Sequence, residues 1–284
     1  MILMKQVLDF EEFLKEYNSF HVTSLMSNQD QFTVSYEVEL SARSHTDDYY
    51  TMLESFQDVF RNVIDKYDMN VIPDNSLVDK DYFIGVEMLP ENYFNGINEA
   101  FSFLDAFFKI YDKQKQFFFS NKTGFHINIG YKPATDWNIV KGYLLLNDDH
   151  SYAGFADRKK SKYAESFKPE FKSKSSRVLK RQFPDIDSKF YNNNIDKFEP
   201  ILNKLIIDIV KDKGEKYVGF NVNKLPQNYL EFRYPGGKLT KEIIKNQTIH
   251  YSNIVLAITD PEYRKNDYIR KMLKFLSEIF DTTK

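Results

Sequence analysis

Residues Phe32 to Leu40 read FTVSYEVEL, a strict alternation of apolar and polar side chains. A period of two is the mark of a β-strand, and it sends Glu37 and Glu39 out of the same face of an otherwise apolar element. Two further acids sit in the middle of predicted strands: Glu87 inside IGVEML and Glu231 inside YLEFRY. Their neighbours favour burial, whereas a solvated face normally mixes Lys, Thr, Ser and Glu. Four carboxylates converging on one sheet face repel one another and resist ionisation. A divalent ion held through oxygen ligands, Mg²⁺ in the first place, relieves that repulsion. Glutamates at alternate positions also describe a plain exposed sheet face, so the pattern by itself leaves both readings open.

The other polar groups on predicted strands have the same two-sided meaning. His126, in GFHINIG, is the only histidine embedded in a strand; such a residue is a structural hydrogen-bonding group or a ligand. Asn128, two positions on, shares its face and offers an oxygen. Arg233 follows Glu231 by two and is either its ion-pair partner or a clamp for an anionic substrate or phosphate. Only eight of the 39 basic residues are arginine, so each planar fork invites the question of what it holds.

The remaining pattern predicts helices over Phe10–Tyr17, Tyr49–Tyr67 (capped by Asp47 or Asp48), Asn95–Lys113, Trp137–Asn147, Phe198–Lys211, Lys241–Ala257 and Tyr263–Phe280, the last begun by Asp260-Pro261. A turn at Pro73-Asp74-Asn75 separates two strands, and Leu225-Pro226-Gln227 separates KYVGFNVNK from NYLEFRY in a hairpin. Strands and helices without a regular βαβ rhythm point to an α+β class with a largely antiparallel sheet. The 284 residues show no repeat, linker or composition break, so one domain over 1–284 is expected, with a basic loop or insertion around 157–195. From Asp157 to Arg181 ten Lys or Arg face three acids, interleaved with Tyr163, Phe167 and Phe171. That stretch reads as a solvated loop, a phosphate-covering lid opened by Arg158, or a nucleic-acid surface.

Composition narrows the chemistry. Cysteine is absent, which removes disulfides, thiolate metal sites and cysteine nucleophiles, and makes a reducing cytoplasm the simplest home. A net charge of −2 gives no bulk attraction for nucleic acid. No apolar run spans a bilayer, and MILMKQVLDFEEF is too acidic for a signal peptide. Aromatic residues, 16% of the chain, supply ample core area. Walker A, GxGxxG, HExxH and GxSxG motifs are all missing.

Taken together and in order, YEVEL (36–40), DNSL (74–77) with GVEMLP (85–90), TGFHINIGY (123–131) and YLEFRYPGG (229–237) resemble the amidoligases of the carboxylate–amine ligase superfamily, relatives of glutamine synthetase. FADRKKSKYA (155–164) is similar to the family's F-x-R segment, and NVNKL, with Asn223, precedes the EFR strand as in the family. Asn128 and the double glycine 236–237 resemble phage-encoded members, for which the host cytoplasm is the expected location. The resemblance covers about residue 32 to the last helix. It implies a curved, largely antiparallel sheet like the glutamine synthetase catalytic domain, with helices on its outer face. It implies Glu37, Glu39, Glu87, His126 and Glu231 as metal ligands. It further implies Arg233 and Arg158 near substrate or phosphate, with Glu87 and Asn128 contributing. The family often has H-x-H where this chain has His126-Ile127-Asn128, so one imidazole is replaced by an amide oxygen.

The implied activity is ATP- and Mg²⁺-dependent joining of a carboxylate to an amine through an acyl phosphate. Its partners are ATP and small-molecule or peptide carboxylate and amine substrates, without membrane or nucleic acid. Two other outcomes share the fold: a catalytically inactive binding or structural protein of a phage, and a phosphotransferase.

Overall fold

The computed structural model describes residues 25, 27–43, 49–74, 77, 83–120, 122–146, 151–152, 164–237 and 239–281. The expected helix at Phe10–Tyr17, the Asp47 and Asp48 caps, and Arg158 with the start of the basic segment lie outside them.

Strand β1 (Phe32–Arg43) is the hub of the sheet. On one side it pairs antiparallel with a strand at Phe83–Pro90, and beyond that with one at Met69–Pro73. On the other side come Phe125–Tyr131, Tyr229–Phe232 and Phe220–Asn221, again antiparallel. Numbering the strands along the chain as β2 (Met69–Pro73), β3 (Phe83–Pro90), β4 (Phe94–Asn95), β5 (Phe117–Phe118), β6 (Phe125–Tyr131), β7 (Phe220–Asn221) and β8 (Tyr229–Phe232), the order is β2-β3-β1-β6-β8-β7. The short β4 and β5 also pair with β1. The class is α+β with a mostly antiparallel sheet and packed helices.

One sheet face is apolar throughout. Phe32, Val34, Tyr36, Val38, Leu40 and Ala42 of β1, Phe125, Ile127 and Ile129 of β6, and Leu230 and Phe232 of β8 are all fully buried. Three amphipathic helices cover this face: α1 (Tyr49–Tyr67), α2 (Ile97–Tyr111) and a long C-terminal helix, Lys241–Thr259. Tyr36 stacks on Phe103 of α2 at 5.8 Å and its hydroxyl meets Thr248 Oγ1 at 3.0 Å, so one side chain ties the strand to both. Phe232 stacks on Tyr251 at 4.2 Å. Aromatic pairs at such spacing add about 0.5–1.5 kcal/mol each beyond the area they bury.

The other helices are α3 (Ile139–Leu145), α4 (Lys168–Gln182), α5 (Ser188–Asn192), α6 (Ile195–Lys213) and α8 (Lys265–Phe280), with Lys241–Thr259 as α7. α3, α4, α6 and α8 pack on one another. Tyr143 of α3 reaches β7 through Phe220, centroids 6.1 Å apart.

Element ends moved for identifiable reasons. Helix α2 starts at Ile97 rather than Asn95, because Phe94 and Asn95 are drawn into pairing with β1 and Gly96 takes φ 104°. Helix α3 runs only Ile139–Leu145, opened by the Asn138 side chain accepting from Lys141 N at 3.1 Å. Asp260 Oδ1 accepts from Glu262 N at 2.9 Å in a turn, which delays α8 to Lys265. The basic segment, expected as a loop, is helical where it is described from Lys168 to Gln182, with Phe171, Ser175 and Leu179 buried. Its lysines make ion pairs with neighbouring elements, Lys174 with Asp212 at 3.2 Å and Lys172 with Glu278 at 2.6 Å. No described helix is long and apolar enough to cross a membrane.

Candidate metal centre

The strand register assembles the site. Glu39 lies directly opposite Glu87 across β1 and β3, and Glu37 opposite His126 across β1 and β6. Asn128 faces Glu231 across β6 and β8, and Asn221 of β7 faces Glu231 from its far side. Directly opposed residues share a face, and so do residues two apart on one strand. All of these side chains therefore leave the face that α1, α2 and α7 do not cover.

The local sequence holds this register for physical reasons. Asp74 N donates to Gly85 O at 2.9 Å where the β2–β3 connection folds back, and buried Leu77 lies against the same glycine. A Cβ at Gly85 would collide with the Asp74 carbonyl and Leu77 Cβ, so only glycine fits two residues before Glu87. At the other end, Gly124 N donates to Glu39 Oε2 at 2.5 Å.

Distances inside the cluster are short. His126 Nδ1 is 2.9 Å from Glu37 Oε2 and 3.7 Å from Glu231 Oε1, and its Nε2 is 3.4 Å from Glu39 Oε1. Asn128 Nδ2 donates to Glu37 Oε1 at 2.9 Å. Arg233 donates through Nη1 to Glu231 Oε1 at 2.6 Å, and Asn221 Nδ2 to Glu231 Oε2 at 2.5 Å. His126, Asn128, Glu39 and Glu231 are buried, while Glu37 keeps 22% of its side chain exposed, so the site is deep but open.

The electrostatics follow from this crowding. Burial alone would raise the Glu37 carboxyl, but the hydrogen bond and charge of His126, with Asn128 and Arg233, outweigh it and bring the group down to about 2. Burial and Arg233 work against a charged imidazole at His126; Glu39 and Glu37 overcome them and raise its pKa. Arg233, penalised by burial, is held charged by Glu231, Glu39 and Glu37. Glu87 is pushed up to about 7 by burial and then by the charge of Glu37, with His126 opposing. Four acids thus face one guanidinium and one imidazole, and among the described residues Glu87 has no cation of its own.

Two overlapping triads share His126: Glu37–His126–Glu231 and Glu39–Glu87–His126, each with ligand atoms within 4.8 Å of one another. Ligand atoms around an octahedral ion at about 2.1 Å lie roughly 3–4 Å apart, so either triad would close on a cation by drawing its side chains together by about 1–2 Å. Asn128 Oδ1, an acceptor, and His126 Nε2 are buried at the cluster and have no hydrogen-bond partner among the described residues. A buried acceptor without a donor is costly, and a cation beside it removes the cost. The residues present fit a divalent ion: this buried Glu/His/Glu cluster can bind one.

Of the residues singled out from sequence, Glu37, Glu39, Glu87, His126, Asn128, Glu231 and Arg233 come together on one sheet face. Two participants were missed. Asn221, which holds Glu231, was passed over for Asn223 two positions later; its place opposite Glu231 depends on hairpin register. Tyr93, whose ring stands edge-on to Tyr229 at 5.0 Å, carries no sequence signal. Burial, its hydrogen bond to Tyr229 and the charges of Glu37 and Glu231 hold the Tyr93 hydroxyl protonated.

No protein-family model matches this chain, and no curated protein matches its sequence.

Proposed function

We propose that this protein is an ATP- and Mg²⁺-dependent carboxylate–amine ligase with a glutamine synthetase-like catalytic sheet. The observation that carries the reading is the convergence of Glu37, Glu39, Glu87 and Glu231 around His126 on one sheet face. Those acids belong to the ordered motifs that resemble the amidoligases.

Mg²⁺, when bound, supplies positive charge to the phosphates and to the phosphoryl group in transfer. Glu37 and Glu231 with His126, and Glu39 and Glu87 with His126, would hold it. A substrate carboxylate oxygen attacks the γ-phosphorus and ADP leaves, giving an acyl phosphate. The amine nitrogen then attacks the acyl carbon, phosphate departs, and the nitrogen loses a proton. Arg233, kept charged and oriented by Glu231, contributes a fixed cation beside the transferred group. Arg158 takes the second such position by resemblance. Hydrogen bonds from Asn128, Asn221 and Gly124 N fix the carboxylates in advance, so little reorganisation accompanies the reaction.

Mn²⁺ titration followed by thermal melting with ATP tests the reading. Mn²⁺ binds with micromolar-range affinity, ATP raises Tm by several degrees only with Mg²⁺ present, and Glu39→Gln abolishes both effects while leaving far-UV circular dichroism unchanged. Equal melting in buffer and in ATP with Mg²⁺ refutes an active ligase.

One observation favours a second reading, an inactive ligase-fold binding or structural protein. Arg233 and Asn128 already donate to Glu231 and Glu37, so the acids are partly satisfied by the protein itself. A folded chain that takes up no Mn²⁺ selects this reading. A phosphorylated product without an amide selects a phosphotransferase.

A further inference from the structure

His126 is shared by both acid triads, but its two ring nitrogens are in different conditions. Nδ1 is engaged, in hydrogen-bond contact with Glu37 Oε2 at 2.9 Å. Nε2 belongs to a residue only 1% exposed, lies 3.4 Å from Glu39 Oε1 and makes no hydrogen bond among the described residues. A carboxylate on one imidazole nitrogen fixes the ring and aims the other nitrogen, the arrangement common to histidines that bind metals.

The carboxylates divide in the same way. Both oxygens of Glu37 already meet a donor group, Asn128 Nδ2 at 2.9 Å and His126 Nδ1 at 2.9 Å. So do both oxygens of Glu231, through Arg233 Nη1 at 2.6 Å and Asn221 Nδ2 at 2.5 Å. On the other side of His126, Gly124 N engages Glu39 Oε2 alone, and among the described residues nothing donates to Glu39 Oε1 or to Glu87. Glu87 stands directly opposite Glu39 in the sheet. Carboxylate oxygens without donors and an imidazole nitrogen without a partner therefore meet on one side, while a guanidinium already sits against the acids of the other.

We infer that Glu39, Glu87 and His126 Nε2 form the resident divalent-cation site, and that Arg233 takes the place of a second cation at Glu37 and Glu231. A dication entering beside Arg233 meets like charge at short range and has to displace hydrogen bonds from acids that are already satisfied. At Glu39 Oε1 and Glu87 it displaces none, and it replaces any proton carried on Nε2. Glu37 is then a positioning residue that orients His126. The inference rests on the cation-binding part of the ligase reading and on none of its chemistry.

Mn²⁺ titration of chelator-treated protein at neutral pH, without ATP, tests it by calorimetry and electron paramagnetic resonance. The wild type takes up one ion per chain. Removing a group that only orients a ligand lowers affinity about tenfold to a hundredfold, so Glu87→Gln lowers it by at least about a hundredfold and by more than Glu37→Gln. Arg233→Met takes up two ions whose spectra show coupling between neighbouring spins, the second held by Glu37, Glu231 and the unpartnered Asn128 Oδ1. Arg233→Lys, which keeps a cation in place, returns to one. Far-UV circular dichroism identifies the folded variants, and the comparison of Glu87→Gln with Glu37→Gln decides the assignment even where Arg233→Met does not fold. Two ions of similar affinity in the wild type, none at all, a larger loss in Glu37→Gln than in Glu87→Gln, or a single ion in folded Arg233→Met overturns the inference. The ligase chemistry fails separately, when ATP with Mg²⁺ leaves melting unchanged in a chain that binds its ion.

Discussion

On one face of β1, six consecutive alternate side chains from Phe32 to Ala42 are fully buried under three helices. On the other face Thr33, Ser35, Glu37, Glu39 and Ser41 follow the same backbone, and Ser35, Glu39 and Ser41 are buried as well. Both faces are therefore withdrawn from water, yet by different means. The apolar face gains free energy from area removed from solvent, a non-directional effect that tolerates adjustment. The polar face is withdrawn at a cost that only directed hydrogen bonds and opposite charges offset, so its side chains are positioned to within a bond length. A strand with one helix-covered apolar face and one deep but open polar face carries stability on one side and a pre-organised site on the other.

Substitutions separate the two. The largest effect is expected on the apolar side: Phe125→Ala, with the residue fully buried beside Tyr36, costs about 3–5 kcal/mol in urea unfolding. Mn²⁺ affinity per folded molecule is unchanged. Glu37→Gln acts on the site. Mn²⁺ affinity by isothermal titration falls about tenfold to a hundredfold, and at neutral pH the urea midpoint also drops, because the Glu37 anion, held down to about 2 by His126, Asn128 and Arg233, stabilises the folded state.

Glu87→Gln exposes the cost of the acid face directly. A carboxyl whose folded pKa of about 7 exceeds its ordinary value of 4.5 destabilises the native state as pH rises from 4.5 to 7, and the full penalty remains above 7. In chelator-treated protein at pH 8 the glutamine variant is accordingly more stable by about 1–3 kcal/mol, and near pH 4 the difference vanishes. Unchanged stability across that range would mean that neither burial nor the charge of Glu37 disfavours the Glu87 anion. The smallest effect is expected from Asn128→Ala, which removes one donor to Glu37 and costs about 1 kcal/mol, with Mn²⁺ affinity lowered less than in Glu37→Gln.

How far the sequence could be read depended on whether a feature was local. Helix α1 coincides with the expected Tyr49–Tyr67, because its periodicity lies wholly within its own residues. The pairing of Glu37 with Glu39 on one face was equally legible, since alternation needs no partner strand. The basic segment was misread as a loop between Lys168 and Gln182. Its lysines looked solvated, and nothing in their order reveals that Asp212 and Glu278 on other helices receive them. Asn221 escaped for a related reason: β7 has two residues, too few for a pattern, and its role follows from the hairpin placing it against Glu231.

Alternation and helical spacing along the chain determined which side chains share a face, and with that the class of fold and the identity of the acids. Whether Glu87, Glu37, Glu39 and Glu231 would meet was decided by tertiary structure alone. Their meeting requires β3, β1, β6 and β8 to lie side by side in one register, and a slip of one residue in any strand would turn its acid into the core. Gly85, closed over by Leu77, and the burial of the opposite face hold that register, through contacts between residues far apart in the sequence.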